Sequence, residues 1–206
     1  MSSEAESGAA REPKRERGKQ RVAALLDAAA AVFTEKGFDA ATMTEIAARA
    51  GAPIGSLYQF FPSKEVLADI LVRRYADVLA ADLQDLEERA AALTTPELVE
   101  TMTGLLMENH SQERAVAMAL VDTMDPSARH TTFRQMLRRR IAAVLRVHAP
   151  TLDADAARDT AVVLLQLMKG MAALNDETAL TARAAVVREL RELAVLYVER
   201  RLRAGR

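Results

Sequence analysis

The chain has 206 residues, half of them hydrophobic but only 4% aromatic, and a net charge of −1. Alanine supplies 41 residues, while Gly (8) and Pro (6) are scarce. That bias favours helix and is too poor in turn formers for a β-sandwich or barrel, so the expected fold is all-α. Cysteine is absent, which excludes disulfides, iron–sulfur clusters, zinc-thiolate sites and cysteine nucleophiles.

The N-terminal stretch MSSEAESGAAREPKRERGKQ has no apolar h-region, and no apolar run approaches the ~20 residues of a membrane helix. A cytoplasmic protein without a membrane partner is expected. Residues 1–17 read as a disordered basic arm. Arg11–Arg21 holds six basic and two acidic residues, a local balance of +4 inside a chain that is neutral overall. Such a run suits either a solvated tail or an arm lying beside nucleic acid.

A first helix is predicted from Gly18 to Lys36, with Val22, Leu25, Leu26, Ala29, Val32 and Phe33 at helical spacing and Gly37 as its stop. Thr42 and Glu45 have the spacing of a capping box opening a short second helix, which Gly51 ends. A third helix covers Ile54–Phe60, and Ser63 caps a fourth with Val66, Leu67, Ile70, Leu71, Leu79, Leu83 and Leu86 along one side. Further starts are expected at Thr95-Pro96-Glu97, at Asp125-Pro126 and at Asp153 or Asp155, and a last helix from about Leu180 to Arg203. About nine helices result. The expected division is 1–17 arm, 18–64 head, and 65–206 helical domain.

The segment Thr42–Lys64, TMTEIAARAGAPIGSLYQFFPSK, sets small Ala47, Gly51 four residues later and apolar Leu57 six after that. This spacing describes a helix-turn-helix, though other helical hairpins share it. On the second helix Gly55, Ser56, Tyr58, Gln59 and Phe60 do not all suit a core. A mid-helix glycine costs up to ~1 kcal/mol against alanine, and is easier to understand if something approaches the backbone. Ser56 and Tyr58 can donate to phosphate, and Gln59 can pair with an adenine edge. Lys64 stands in a first helical turn, where the dipole disfavours a cation unless an anion docks there too.

From Arg21 to Leu67 the chain resembles the DNA-binding head of the TetR/AcrR family of bacterial transcriptional regulators. The likeness rests on Ala28 to Gly37 with Phe38, Thr42, Ile46-Ala47, Ala50-Gly51, Gly55-Ser56-Leu57-Tyr58, Phe61 and Ser63-Lys64-Glu65 with Leu67. It implies phosphate contacts at Thr42, Ser56 and Lys64, and a major-groove face of Ile54, Gly55, Tyr58 and Gln59, with Phe60 alongside. The family often has serine and lysine where this chain has Pro53 and Ile54, and His or Tyr where it has Phe60. Ile54 would exchange a phosphate-reaching cation for an apolar contact, such as a thymine methyl. The resemblance also implies a homodimer paired through the last two long helices, suited to a palindromic operator on double-stranded DNA.

In the predicted helix Asp155–Asn175, Gln166 is the sole polar residue between Ala161 and Met168, so that helix needs cover on two sides, by its own core or by a second subunit. Seven of nine methionines lie between Met102 and Met171. Met102, Met107, Met118 and Met168, with Asn109, Asp122 and Gln166 to orient a ligand, are the candidates for a small-molecule effector site, and the same residues serve equally as core and caps. The shortage of aromatics favours an aliphatic or amphipathic effector. The three histidines are far apart, and no HExxH, P-loop or G-x-S-x-G motif occurs, so neither enzyme, cofactor nor metal is expected. The resulting reading is an effector-modulated repressor. A helical interaction module and a small all-α enzyme are the alternatives.

Overall fold

The computed structural model describes residues 14–107, 116, 117, 119–121, 129–176 and 182–204. Within them the elements are α1 (Lys14–Ala40), α2 (Met43–Arg49), α3 (Ile54–Phe60), α4 (Lys64–Arg89), a 3-10 turn (Ala90–Ala92), α5 (Thr95–Met107), α6 (Arg129–His148), α7 (Ala154–Asp176) and α8 (Arg183–Ala204), with residues 116, 117 and 119–121 also helical. The all-α expectation holds. No helix among the described residues is long and apolar enough to cross a membrane.

The chain divides into two compact units between Leu71 and Val72, inside α4 and past the expected boundary at 64. Burial explains the difference. Leu67, Ala68 and Leu71 are buried in the first unit, whereas the core cluster of the second begins at Tyr75. A continuous helix carries no composition change to mark where one core gives way to another.

In the first unit α1 starts at Lys14, so residues 14–17 of the expected disordered arm are helical; the rest of that arm lies outside the described residues. Lys and Arg are good helix formers, and Glu16 sits in the first turn, where the dipole favours an acid. Leu25, Leu26, Ala28 to Phe33 form the buried stripe. Gly37 interrupts the helix at φ 77°, a conformation that favours glycine.

In the second unit α5 is opened one residue earlier than expected. Thr94, not Thr95, forms a capping box with Glu97: the Glu97 carboxylate accepts from the Thr94 N–H (2.8 Å) and hydroxyl (2.7 Å). The T-x-x-E spacing of a capping box lies at 94–97, with Pro96 inside it. Thr95 instead bonds His148 Nε2 (3.1 Å), whose Nδ1 lies 3.0 Å from the Ala90 carbonyl. The imidazole thus links the end of α6 to the turn before α5. Asp153 caps α7, accepting from the N–H groups of Asp155 and Ala156. The Asp125-Pro126 start lies outside the described residues.

The core of this unit gathers Leu83, Leu86, Leu98, Met102, Ile141, Leu145, Leu164, Met168 and Val198. On α7, Leu164 and Met168 are buried, while Gln166 is exposed, because two residues along a helix turn a side chain through some 200°. Gln166, a candidate for orienting a ligand, thus stands on the side of α7 away from Leu164 and Met168. Met102→Ala is expected to cost about 2–5 kcal/mol in denaturant unfolding, as large-to-small changes at buried sites do. Gln166→Ala should stay within about 0.5 kcal/mol of wild type. Equal losses from the two would contradict this placement.

Candidate nucleic-acid interface

The site is built on a short turn between two short helices. Thr42 caps α2 in a complete capping box: its Oγ1 accepts from the Glu45 N–H (3.3 Å), and the Glu45 carboxylate accepts from the Thr42 N–H (3.1 Å). At the other end Gly51 takes φ 60°. The Ala52 N–H bonds the Ala47 carbonyl (3.0 Å), and the Gly51 N–H bonds that of Ala48 (3.1 Å). These two bonds make a Schellman turn with glycine in the left-handed position, as the sequence pattern required. The chain then enters α3 at Pro53, whose fixed φ suits the position but which offers no side-chain cap.

Ile46, Ala47 and Leu57 are buried where α2 and α3 pack together, and Phe61 is buried just beyond α3. The other side of α3 is turned outward. Tyr58 is 51% exposed, Ile54 40% and Phe60 39%, and Gly55 and Gln59 are exposed with them; Ser56 is half-buried. A Cβ added at Gly55 would meet no neighbouring atom, and its φ is not in the left-handed region. Nothing inside the protein calls for a glycine there. Within seven residues the fold thus shows three large apolar or aromatic side chains, an amide and a glycine, with no formal charge.

Residues 25–70 hold three cations, and each is engaged within the head. Lys36 pairs with Glu45, and Arg49 with Glu35 (2.6 Å). The Lys64 ammonium donates to the carbonyls of Phe38 (2.7 Å), Asp39 (3.1 Å) and Ala41 (3.0 Å), and lies 4.5 Å from the Phe38 ring centre. An anion at the start of α4 is therefore not needed to explain a lysine in that turn. Its positive charge is stabilised by the chain leaving α1, three residues of which are joined to it. This contact was missed from sequence because its partners are carbonyls 23 to 26 positions away.

The expected effector residues fall differently. Met102 and Met168 are buried in the core of the second unit, and Gln166 is exposed. Met107 ends α5 with its side chain outside the described set, and Asn109, Met118 and Asp122 lie outside the described residues altogether. Among the described residues no cluster of His, Asp and Glu could hold a metal ion.

The hydrogen bond from Lys36, and then those from Thr42, hold the Glu45 carboxyl below the ordinary carboxylate range. The Arg49 hydrogen bond does the same for Glu35. A carboxyl whose pKa is lowered by folding adds stability above its unfolded value, and that contribution disappears as pH falls through the folded value. The head should therefore lose stability on acidification through this range. Glu45→Gln, which keeps a capping-box side chain but removes the charge, should flatten that dependence in thermal unfolding across pH. An unaltered pH profile would remove Glu45 from the account.

Residues 25–70 match the family model for bacterial regulatory proteins of the tetR family. The chain is 41% identical over 83 residues to the HTH-type transcriptional repressor KstR2 of Mycobacterium tuberculosis (strain H37Rv), a match covering 40% of this chain and 39% of that one. The alignment thus spans about two fifths of the curated relative's length. In fold it is similar to a bacterial regulatory protein in the tetR family from Rhodococcus RHA1 (TM-score 0.64, 17% identity, 87% of this chain and 97% of that one). It is similar also to a gamma-butyrolactone receptor described as ArpA-like (TM-score 0.54, 22% identity, 88% and 100%). With the helix-turn-helix geometry of residues 42–61, these matches identify residues 25–70 as a head of the type found in the tetR family of bacterial regulatory proteins.

Proposed function

We propose that this protein is a transcriptional repressor whose head binds a half-site of a palindromic operator and whose second unit answers to a small-molecule effector. The observation that carries the reading is the outward face of α3, where Ile54, Tyr58 and Phe60 are held in solvent by a helix whose inner side is packed at Leu57. Apolar side chains at such exposure have no use in an isolated soluble head, but suit the edges of base pairs in a major groove, where thymine presents a methyl group. Ser56 and the Tyr58 hydroxyl lie at positions from which they would donate to phosphate, Thr42 would do so by releasing the bond its hydroxyl gives the Glu45 carboxylate (3.0 Å), and Gln59 would read a base edge. Lys64 contributes by holding the α1–α2 connection that carries Thr42. Its contact with a phosphate would be additional to the three carbonyls it already serves.

Gly55 gives this reading a test in which stability and binding move in opposite directions. Gly55→Ala should stabilise the head by about 0.5–1 kcal/mol, since alanine is the better helix former and the added methyl meets no atom of the protein. The same methyl would stand between α3 and DNA, so affinity for a selected duplex should fall, as it should for Tyr58→Ala. Mobility shift against thermal unfolding separates the two effects. A protein that selects no duplex from a random library, or whose affinity is untouched by both changes, would instead be a helical module without a DNA role.

We infer that the repressor is a homodimer. In the second unit α7 and α8 pack together, yet Val163 and Val186 are exposed and Leu193 and Leu196 reach 53% and 59%. A second copy related by a two-fold axis would cover this face and set two heads about one DNA turn, ~34 Å, or a multiple apart. An effector binding near Met102 and Met168, which share the core with these helices, would favour a different spacing and shift the population away from DNA. The effector is a small molecule of largely apolar character. Leu193→Glu with Leu196→Glu should convert the dimer to a monomer in sedimentation while preserving helicity. A wild-type protein that sediments as a monomer would contradict the pairing.

A further inference from the structure

The first unit contains a groove of about 310 Å3 beside the helix-turn-helix turn. One wall is a stripe of α1 that includes Arg17, Gln20 and Arg21 above buried Leu25; the other is the turn containing Gly51, Ala52 and Pro53. Arg17 and Arg21 are one helical turn apart and both exposed. The facing wall, Ala50 to Pro53, brings no carboxylate. Its last residue leads directly into Ile54, where α3 begins.

The distribution of charge gives this groove its significance. Residues 25–70, the segment that matches the family, hold three basic and six acidic residues, a net charge of −3. The three cations are Lys36, Arg49 and Lys64, and α3 itself is uncharged. A surface of that sign repels a phosphate backbone. Residues 14–21, by contrast, hold five basic residues and one acidic, a net charge of +4. Within the first unit, the positive charge is thus concentrated at the start of α1. The groove is where that charge borders the element that reads the bases.

We propose that this groove is a phosphate clamp: Arg17 and Arg21, with Gln20 and the backbone of the Gly51 turn, grip a phosphodiester of the DNA strand flanking the half-site. Arginine suits the task because its planar fork pairs two donors with phosphate oxygens. The proposal rests on the DNA-binding reading of the head and adds to it a division of labour. α3 supplies base contacts that release no counterions, and the start of α1 supplies the electrostatic part of the affinity.

The test is the salt dependence of binding to the tightest duplex that full-length wild type selects from a randomised library. Each phosphate neutralised adds about 0.9 to the slope of log affinity against log salt. Arg17→Ala with Arg21→Ala should therefore lower the slope by about 1.8. Over a fourfold rise in salt, wild type should lose roughly twelvefold more affinity than the double variant. Both side chains are exposed, so circular dichroism should show the fold intact. Arg17→Lys with Arg21→Lys should keep the slope, and Tyr58→Ala should weaken binding at every salt concentration with the slope unchanged. A double alanine variant with the wild-type slope would overturn the clamp while leaving the DNA-binding reading standing. Failure of wild type to select any duplex would remove both.

Discussion

The ammonium of Lys64 joins the start of α4 to the end of α1. It donates to the carbonyls of Phe38, Asp39 and Ala41, groups freed where Gly37 breaks α1, and its own residue opens α4. Thr42 follows directly and caps α2 through Glu45, which Lys36 from α1 also engages. The entry to α2 is thus fixed by charge-assisted bonds from both sides. The apolar packing of Ile46, Ala47 and Leu57 then determines where α3 lies. Helices of seven residues cannot sustain themselves in water, so α2 and α3 exist because their ends are tied and their inner faces buried.

That dependence explains what was legible in the sequence. Capping residues and turn glycines act locally, so the box at Thr42–Glu45, the Gly51 turn and the limits of α3 could be read from spacing alone. The exposed face of α3 was legible as well, because its residue types suit no core. Interactions between distant residues were not. Neither Lys64's carbonyls nor the bridge from His148 to Ala90 and Thr95 leaves any mark on local sequence. The domain boundary was hidden because α4 stays amphipathic through it, burying Leu71 in one core and Tyr75 in the next.

The second unit was harder to read because methionine and leucine report burial without reporting what is buried against them. Met102 and Met168 lie in a continuous apolar core, where their adaptability suits filling and ligand accommodation alike. Gln166 shows the limit of reading polarity as a site signal: one polar residue in an apolar stretch marked the outer side of α7. The neighbouring exposed apolar residues, Val163 on α7 and Leu193 and Leu196 on α8, are the more telling feature.

A whole-chain charge of −1 speaks against a DNA-binding protein only if charge is spread evenly, and here it is not. Counterion release depends on the cations that touch phosphate, whereas discrimination among sequences depends on contacts in the groove. A head whose matched segment is net acidic and whose reading face is uncharged keeps these functions on separate elements. With the proposed clamp, affinity would scale with salt through α1 while selectivity would be largely insensitive to it. Low non-specific affinity also follows, since a few phosphate contacts per head give little hold on arbitrary DNA. In the proposed dimer, two heads on correctly spaced half-sites would restore the occupancy that one head lacks, so a change in their separation would release the protein more completely than it would a strongly basic one.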